Sequence, residues 1–249
     1  MRSTLSLHRK RWTLRLQDQI PRYFRRNVIV IYPWKVAYVR VPKVANSALK
    51  SAIAAGLKLP QVPGLRPTND RYWRCADPKR VNLISLFQFE YDPRFRDYWS
   101  FAVVREPVER IVSCYKNKIL RNGRLSPAFQ RRGFSDSMSL EAFVRRACVL
   151  SDVSTDIHLA SQASILGQGG RSSLDLVLSL DELNHRFPEL VAEVWKRSGV
   201  HLGTLGLSNS TAKVKDRLVL TPELRCLIRR RYEADYRLFF PNDLAGAAP

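Results

Sequence analysis

Residues 36–50 constrain the fold of this chain more than any other stretch. Residues 36–41 are mostly β-branched or aromatic and predict a buried strand, which a proline ends. From Leu49 onward apolar residues recur at three- and four-residue spacing, which predicts a helix. Free amide N–H groups at a helix N-terminus attract anions, so we expect this loop to bind one, with Lys43 adding full charge and Ser47 a hydroxyl donor.

An ordinary connection between a strand and a helix is the alternative for this loop. The glycines of the phosphate-binding pattern G-x-x-x-x-G-K-[ST] are missing, so that motif is not matched. Support for an anion site must therefore come from elsewhere in the chain.

A second strand and helix supply such support. Residues 99–104 have the pattern of a buried strand that is followed by Arg105, and Pro107 stands at a favoured first helical position. Ser113 falls on the polar side of the helix that follows, with Arg110 one turn before it. Ligands of open α/β sheets bind beyond the carboxyl ends of parallel strands, so we expect Arg105 and Ser113 to address one ligand.

The remainder of the chain continues the alternation of strands and helices. Residues 174–180 predict a strand, residues 181–198 a helix, and Thr221 begins the final helix. Residues 60–80, rich in proline, and residues 121–137, rich in arginine, glycine and serine, predict long loops. This alternation predicts an α/β fold with a mainly parallel sheet flanked by helices.

The chain is strongly basic. Its 249 residues are 45% hydrophobic, enough for one α/β core, and carry a formal charge of +20, which predicts attraction to polyanions. We expect residues 1–26 to form a basic arm and residues 27–249 the domain proper. The arm packs on the domain, contacts a membrane surface peripherally, or binds a polyanion; its sequence leaves all three open.

Targeting signals and metal motifs are absent from the sequence. It contains no run of 18 apolar residues and no signal-peptide pattern, so we expect a cytoplasmic protein that reaches a membrane, if at all, through its arm. The four cysteines are widely spaced, with no C-x-x-C pair and no nearby histidine cluster. No metal site is expected.

Four short stretches, in order, resemble motifs of the membrane-type carbohydrate sulfotransferases, the group that includes the chondroitin and dermatan sulfotransferases. Residues 42–50 resemble the family's 5′-phosphosulfate loop, P-K-V-A-C-T-N-W-K, and residues 105–118 its 3′-phosphate motif, R-x-P-x-x-R-x-x-S-x-Y-x-x-K. Residues 156–162 are similar to D-x-H-W-x-P-Q, and residues 232–239 to Y-x-x-D-Y-x-L-F. The chain departs from these motifs at Asn46, Ala48, Leu159 and Ser161.

The resemblance implies a P-loop-like sulfotransferase fold. It also implies transfer of a sulfuryl group, without a metal, from 3′-phosphoadenosine 5′-phosphosulfate to a hydroxyl of a sugar. Arg105 and Ser113 would hold the 3′-phosphate of this donor. The cradle for its 5′ side would consist of the Lys43 side chain, which also stabilises the leaving oxygen, and the backbone amides of Lys43, Val44, Ala45, Asn46, Ser47, Ala48 and Leu49.

His158 is the predicted general base. Histidine titrates near neutrality, and Asp156 is close enough in sequence to orient the ring. A structural His158, with Glu90 or Glu106 as the base, is the alternative.

Two other classes of protein remain open at this point. A nucleotide kinase would share the strand, anion loop and helix but would need the glycine-rich loop and a magnesium-holding acid. A polyanion-binding protein would explain the charge without chemistry, although no specific nucleic-acid partner is predicted. The expected acceptor is a glycan or another molecule with a hydroxyl, and an acidic one if it contacts the loop arginines Arg66, Arg71 and Arg74.

Overall fold

The computed structural model describes residues 26–121, 125–167, 174–203, 205 and 218–245. Within them the chain forms a five-stranded sheet flanked by helices, which confirms the predicted α/β class. The predicted basic arm lies outside the described residues except for Arg26, which begins the first strand. The strands are β1 (Arg26–Ile31), β2 (Val36–Val39), β3 (Val81–Ser85), β4 (Trp99–Val104) and β5 (Leu176–Ser179).

The strands lie in the order β3-β1-β2-β4-β5. β1 is antiparallel to both of its neighbours, whereas β2 pairs with β4 and β4 with β5 in parallel. The sheet is therefore mixed, with four of its five strands running in one direction. As a result, the carboxyl ends of β2, β4 and β5 meet the start of β1 at one edge of the sheet.

The helices begin where local sequence signals place them. Ser179 and Glu182 form a reciprocal capping box at the start of the longest helix, and Thr221 caps the helix that Pro222 opens. A π-helical turn, Lys116–Arg121, continues α4. The α-helices are α1 (Asn46–Gly56), α2 (Tyr72–Cys75), α3 (Leu86–Tyr91), α4 (Pro107–Tyr115), α5 (Pro127–Gln130), α6 (Leu140–Val149), α7 (Gln162–Ile165), α8 (Leu180–Ser198), α9 (Pro222–Arg231), α10 (Glu233–Phe239) and α11 (Pro241–Ala245).

Both predicted long loops contain a helical turn. Residues 60–80 include α2, where Trp73 is fully buried and its indole N–H donates to the carbonyl of Pro67 at 2.6 Å. Residues 121–137 include α5, whose Phe129 is buried. Each predicted loop thus includes one short helix, because both segments carry an aromatic side chain that the core accepts.

Two apolar clusters hold the elements together. One covers the sheet, whose residues 28–31 and 36–39 have no exposed surface. The other joins α4, α6 and α9 through side chains such as Ile111, Phe143 and Ile228. This second cluster fixes α4, the helix that carries Ser113, against the rest of the domain. No helix in the described part of the chain combines the length and apolar character needed to cross a bilayer.

Candidate functional site

A cavity of about 940 Å³ opens at the sheet edge where β1 begins and β2 and β4 end. Almost all of the predicted site residues line it. They are Lys43, Val44, Ala45, Asn46, Ser47, Ala48, Arg105, Ser113 and His158.

The loop after β2 presents backbone amides to this cavity. Lys43 and Ala45 adopt left-handed backbone conformations, with φ of 72° and 42°, which cost non-glycine residues about 1–3 kcal/mol and cluster at ligand sites. The first helical hydrogen bond of α1 runs from the Leu49 N–H to the Ala45 carbonyl at 3.0 Å. The amides of residues 46–48 precede that bond and are not used by the helix. α1 also begins at Asn46, three residues before the predicted periodicity.

Leu49 departs from the predicted cradle. Its amide is engaged within the helix, its side chain is 1% exposed, and it is absent from the cavity lining. The amides available to an anion at this helix therefore end at Ala48.

Lys43 brings a cationic side chain to the same loop. Burial lowers the pKa of Lys43 to about 8, and the charges of Lys118, Arg105 and Arg121 act in the same direction, opposed by Cys114. Among the described residues, no carboxylate forms an ion pair with Lys43. A bound anion would supply the missing counter-charge and favour the protonated lysine.

Arg105 is held through its backbone by one buried side chain. Gln162, which has no exposed surface, accepts from the Arg105 N–H at 2.9 Å and donates to the Arg105 carbonyl at 2.7 Å. The guanidinium Nε pairs with Glu109 at 3.0 Å. Its two terminal nitrogens have no hydrogen-bond partner in the described part of the chain, so they are available to a ligand. Arg105 and Ser113 also line a smaller cavity of about 390 Å³.

Asp235 fixes Gln162 in turn. Its carboxylate accepts from the backbone N–H groups of Gln162 at 2.9 Å and Ala163 at 2.8 Å, and it has no exposed surface. Burial raises the pKa of Asp235, although these hydrogen bonds and Arg110 oppose the shift. Asp235, in the stretch that resembles the fourth family motif, thus positions Gln162 of the third. Gln162 in turn positions Arg105.

Arg110 is a structural residue. It is 2% exposed and donates to three backbone carbonyls, those of Pro42 at 3.2 Å, Ala160 at 2.6 Å and Ile157 at 3.2 Å. Arg110 was predicted on the polar side of α4 with Ser113, but it does not line the cavity, because its guanidinium satisfies buried carbonyls. It joins the anion loop to the segment that carries His158.

His158 is arranged as a base. Its Nδ1 lies 2.5 Å from Asp156 Oδ1, and its side chain is 30% exposed and lines the large cavity. Burial lowers the pKa of His158 more than Asp156 raises it, so the ring is neutral at pH 7. Burial would raise the pKa of Asp156, but the hydrogen bonds from His158, and the charge that the ring carries in the acid range where Asp156 titrates, outweigh it and lower that pKa. A neutral ring that donates Nδ1–H to Asp156 keeps Nε2 as a proton acceptor.

The two alternative bases lie elsewhere. Glu106 accepts from the Glu109 N–H at 2.8 Å as the cap of α4 and from the Tyr236 hydroxyl, and it lines only the smaller of these two cavities. Glu90 is exposed on α3, away from both. Of the three predicted bases, His158 is the one that reaches the large cavity.

A further group of cavity residues was not predicted as a site. The expected arginines of residues 60–80 do not line the cavity, whereas Thr68 and Asp70 of the same segment do. Asp70 meets Arg40 and Lys50 there. The position of Arg40 between a strand and a proline was a local signal for this group.

The α/β fold places a left-handed loop after β2 beside an arginine after its parallel neighbour β4, which is the architecture of a P-loop-like fold. The model of the sulfotransferase family matches residues 26–241, so the chain belongs to the sulfotransferase family. This finding confirms the resemblance seen in the sequence.

Curated relatives agree with this assignment. Carbohydrate sulfotransferase 10 of Danio rerio is 27% identical over 131 residues, which are 51% of this chain and 34% of the relative. The protein of the same name from Pongo abelii is 29% identical over 100 residues, 39% of this chain and 27% of the relative. The chain spans about a third of the length of these relatives. No solved structure matches the chain.

Proposed function

We propose that this protein transfers a sulfuryl group from 3′-phosphoadenosine 5′-phosphosulfate to a carbohydrate hydroxyl. The observation that carries the proposal is one cavity that combines the amides of residues 43–48, Lys43, Arg105, Ser113 and a histidine oriented by Asp156.

The donor suits the two cationic regions. Its 5′-phosphosulfate would lie against Lys43 and the amides of residues 46–48, because these donors have no partner within the helix. Its 3′-phosphate would meet the free terminal nitrogens of Arg105 and the Ser113 hydroxyl, since a planar guanidinium binds phosphate in a bidentate manner.

The transfer step uses His158 and Lys43. His158 Nε2 takes the proton of the acceptor hydroxyl while that oxygen forms its bond to sulfur. The bond from sulfur to the bridging oxygen of the donor breaks, and its electron pair remains on that oxygen. Lys43 stabilises this growing charge. The products are a sulfate ester and 3′-phosphoadenosine 5′-phosphate.

The acceptor class rests on the relatives. They are named carbohydrate sulfotransferases, and a sugar hydroxyl has the nucleophile that this step needs. The cavity is large enough for a sugar beside the reacting end of the donor.

Calorimetric titration with 3′-phosphoadenosine 5′-phosphate, with and without magnesium, tests the class of protein. We expect binding that does not need magnesium and that is much weaker for 5′-AMP, which lacks the 3′-phosphate. Magnesium-dependent binding would indicate a nucleotide kinase. Binding of nucleic acid with a steep salt dependence and no preference for this nucleotide would indicate a polyanion-binding protein.

A further inference from the structure

A second cationic cluster lines the cavity on the side of β1. Arg40 donates from Nη1 and Nη2 to the two carboxylate oxygens of Asp70, at 2.5 and 3.2 Å. Lys50 Nζ donates to Asp70 Oδ1 at 2.7 Å and to the Thr68 carbonyl at 3.0 Å. All four residues line the cavity, and so does Arg26.

Among the residues that the structure describes, the cluster is short of negative charge. The side chains of Arg40 and Lys50 are 8% and 2% exposed, and they share one carboxylate that is 54% exposed. Two buried cations against one half-exposed anion leave a net positive charge in a poorly solvated position, which is costly. Burial and the charge of Arg40 accordingly lower the pKa of Lys50, although Asp70 opposes the shift. A ligand anion would remove this cost.

Sheet topology separates this cluster from the arginine assigned to the donor. Arg40 follows β2, and Arg26 begins β1, which lies on one side of β2. Arg105 follows β4, which lies on the other side. With the donor assigned to the central loop and Arg105, the wall beside β1 remains for the acceptor.

We propose that Arg40 and Lys50 form an anion subsite that takes a carboxylate or a sulfate ester carried by the acceptor sugar. Asp70 holds the two cations together when no acceptor is bound, and the acceptor anion supplies the charge that the cluster lacks. This inference rests on the proposed function, because it names which sugars the same cavity accepts.

The test compares matched sugars on the full chain loaded with 3′-phosphoadenosine 5′-phosphate. The probes are a hexuronic-acid disaccharide, the same disaccharide with its carboxylate reduced to an alcohol, and the reduced form carrying one sulfate ester. We expect the two anionic probes to bind about ten- to a hundredfold more tightly than the alcohol, in line with a charge-assisted hydrogen bond. Equal binding of all three would overturn the subsite, and a difference between the two anionic probes would identify the preferred group.

Variants locate the effect. Lys50→Gln should remove most of the preference for the anionic probes. Asp70→Asn keeps both cations and changes a half-exposed side chain, so it should fold and should increase the preference several-fold. Arg74→Gln is the matched control, because Arg74 is exposed, belongs to the same segment and lies outside the cavity. An unchanged preference in Asp70→Asn, or an equal loss in Arg74→Gln, would contradict the subsite.

The two proposals fail in different ways. If the wild-type chain does not bind 3′-phosphoadenosine 5′-phosphate, the proposed function is wrong and the subsite loses its basis. If the nucleotide binds and the acidic and reduced sugars bind equally, only the subsite is wrong.

Discussion

Two walls of the cavity are built in different ways. The cradle wall, residues 43–48, belongs to one strand–loop–helix unit, and its shape comes from left-handed backbone at Lys43 and Ala45. The wall that carries Arg105 and His158 is assembled from distant segments. Its hydrogen bonds from Gln162 to Arg105 and to Asp235 join residues 57 and 73 positions apart.

This difference predicts how each wall responds to substitution. A change in the cradle acts locally, on the amides and the lysine that meet the donor. The other wall also has short-range contacts, from His158 to Asp156 and from Arg105 to Glu109, but the backbone of Arg105 depends on buried polar contacts with a distant segment. Variants of the two walls should therefore show separate effects on donor binding, on the stabilisation of charge in the transition state and on proton transfer.

His158→Ala should give the largest effect. Loss of a general base lowers rates by about 10² to 10⁴, and donor binding should hardly change because the base contacts only the acceptor. Single-turnover sulfation and titration with the product nucleotide measure the two quantities. His185→Ala, an exposed histidine outside the cavity, is the control. Full turnover by folded His158→Ala would return this residue to a structural role.

Lys43→Ala should lower the transfer rate by about 10² to 10³, the typical loss when one donor to a developing anion is removed. Affinity for the product nucleotide should fall by a smaller factor, because the interaction strengthens in the transition state. Lys58→Ala provides a matched control, since Lys58 is also left-handed but exposed and outside the cavity. Unchanged turnover in Lys43→Ala would remove the basis of the proposed mechanism.

Arg105→Ala should weaken binding of 3′-phosphoadenosine 5′-phosphate about ten- to a hundredfold, the value of a charge-assisted hydrogen bond. Binding of 5′-AMP should stay nearly constant. Arg237→Ala is the control because Arg237 pairs with Glu233 as Arg105 does with Glu109, but on an exposed helix face. An equal loss for both nucleotides would disconnect Arg105 from the 3′-phosphate.

The smallest expected effect is a pH dependence of nucleotide affinity, which arises from Lys43 in the cradle. The pKa of Lys43 is about 8, and a bound anion favours the protonated form, so nucleotide affinity should fall as pH rises through 8. The fall approaches about tenfold per pH unit until the pKa of the bound state is reached. Calorimetry at pH 7, 8 and 9 measures it. Lys43→Arg should remove the dependence, since a guanidinium stays charged throughout this range.

The sequence predicted the cradle better than the opposite wall. Strand, loop and helix signals at residues 36–50 act over short distances, and Lys43 and Ser47, both named from these signals, line the cavity. Arg110 was predicted only to lie on the polar side of α4, and the structure surrounds its guanidinium with three carbonyls from other segments. Helical periodicity shows that a residue lies outside the apolar face of a helix. It does not show which distant backbone carbonyls will accept hydrogen bonds from its side chain.

The wall beside β1 was the least predictable part. Neither β1 nor β3 was expected, and the antiparallel course of β1 is what brings Arg26 to the carboxyl end of β2. Asp70 of the 60–80 segment reaches the cavity, where the arginines of that segment were expected. Long-range strand pairing and loop closure decided both outcomes, and neither leaves a periodic signal in the chain.

By itself the sequence determined the α/β class, the strand–loop–helix unit at residues 36–50, the arginine after β4 and the family, because each depends on residues close together in the chain. The tertiary structure decided which buried amide side chain holds Arg105. It also decided that Asp70 lies between Arg40 and Lys50. Burial lowers the pKa of His158 and of Lys50, and burial depends on how all segments pack together.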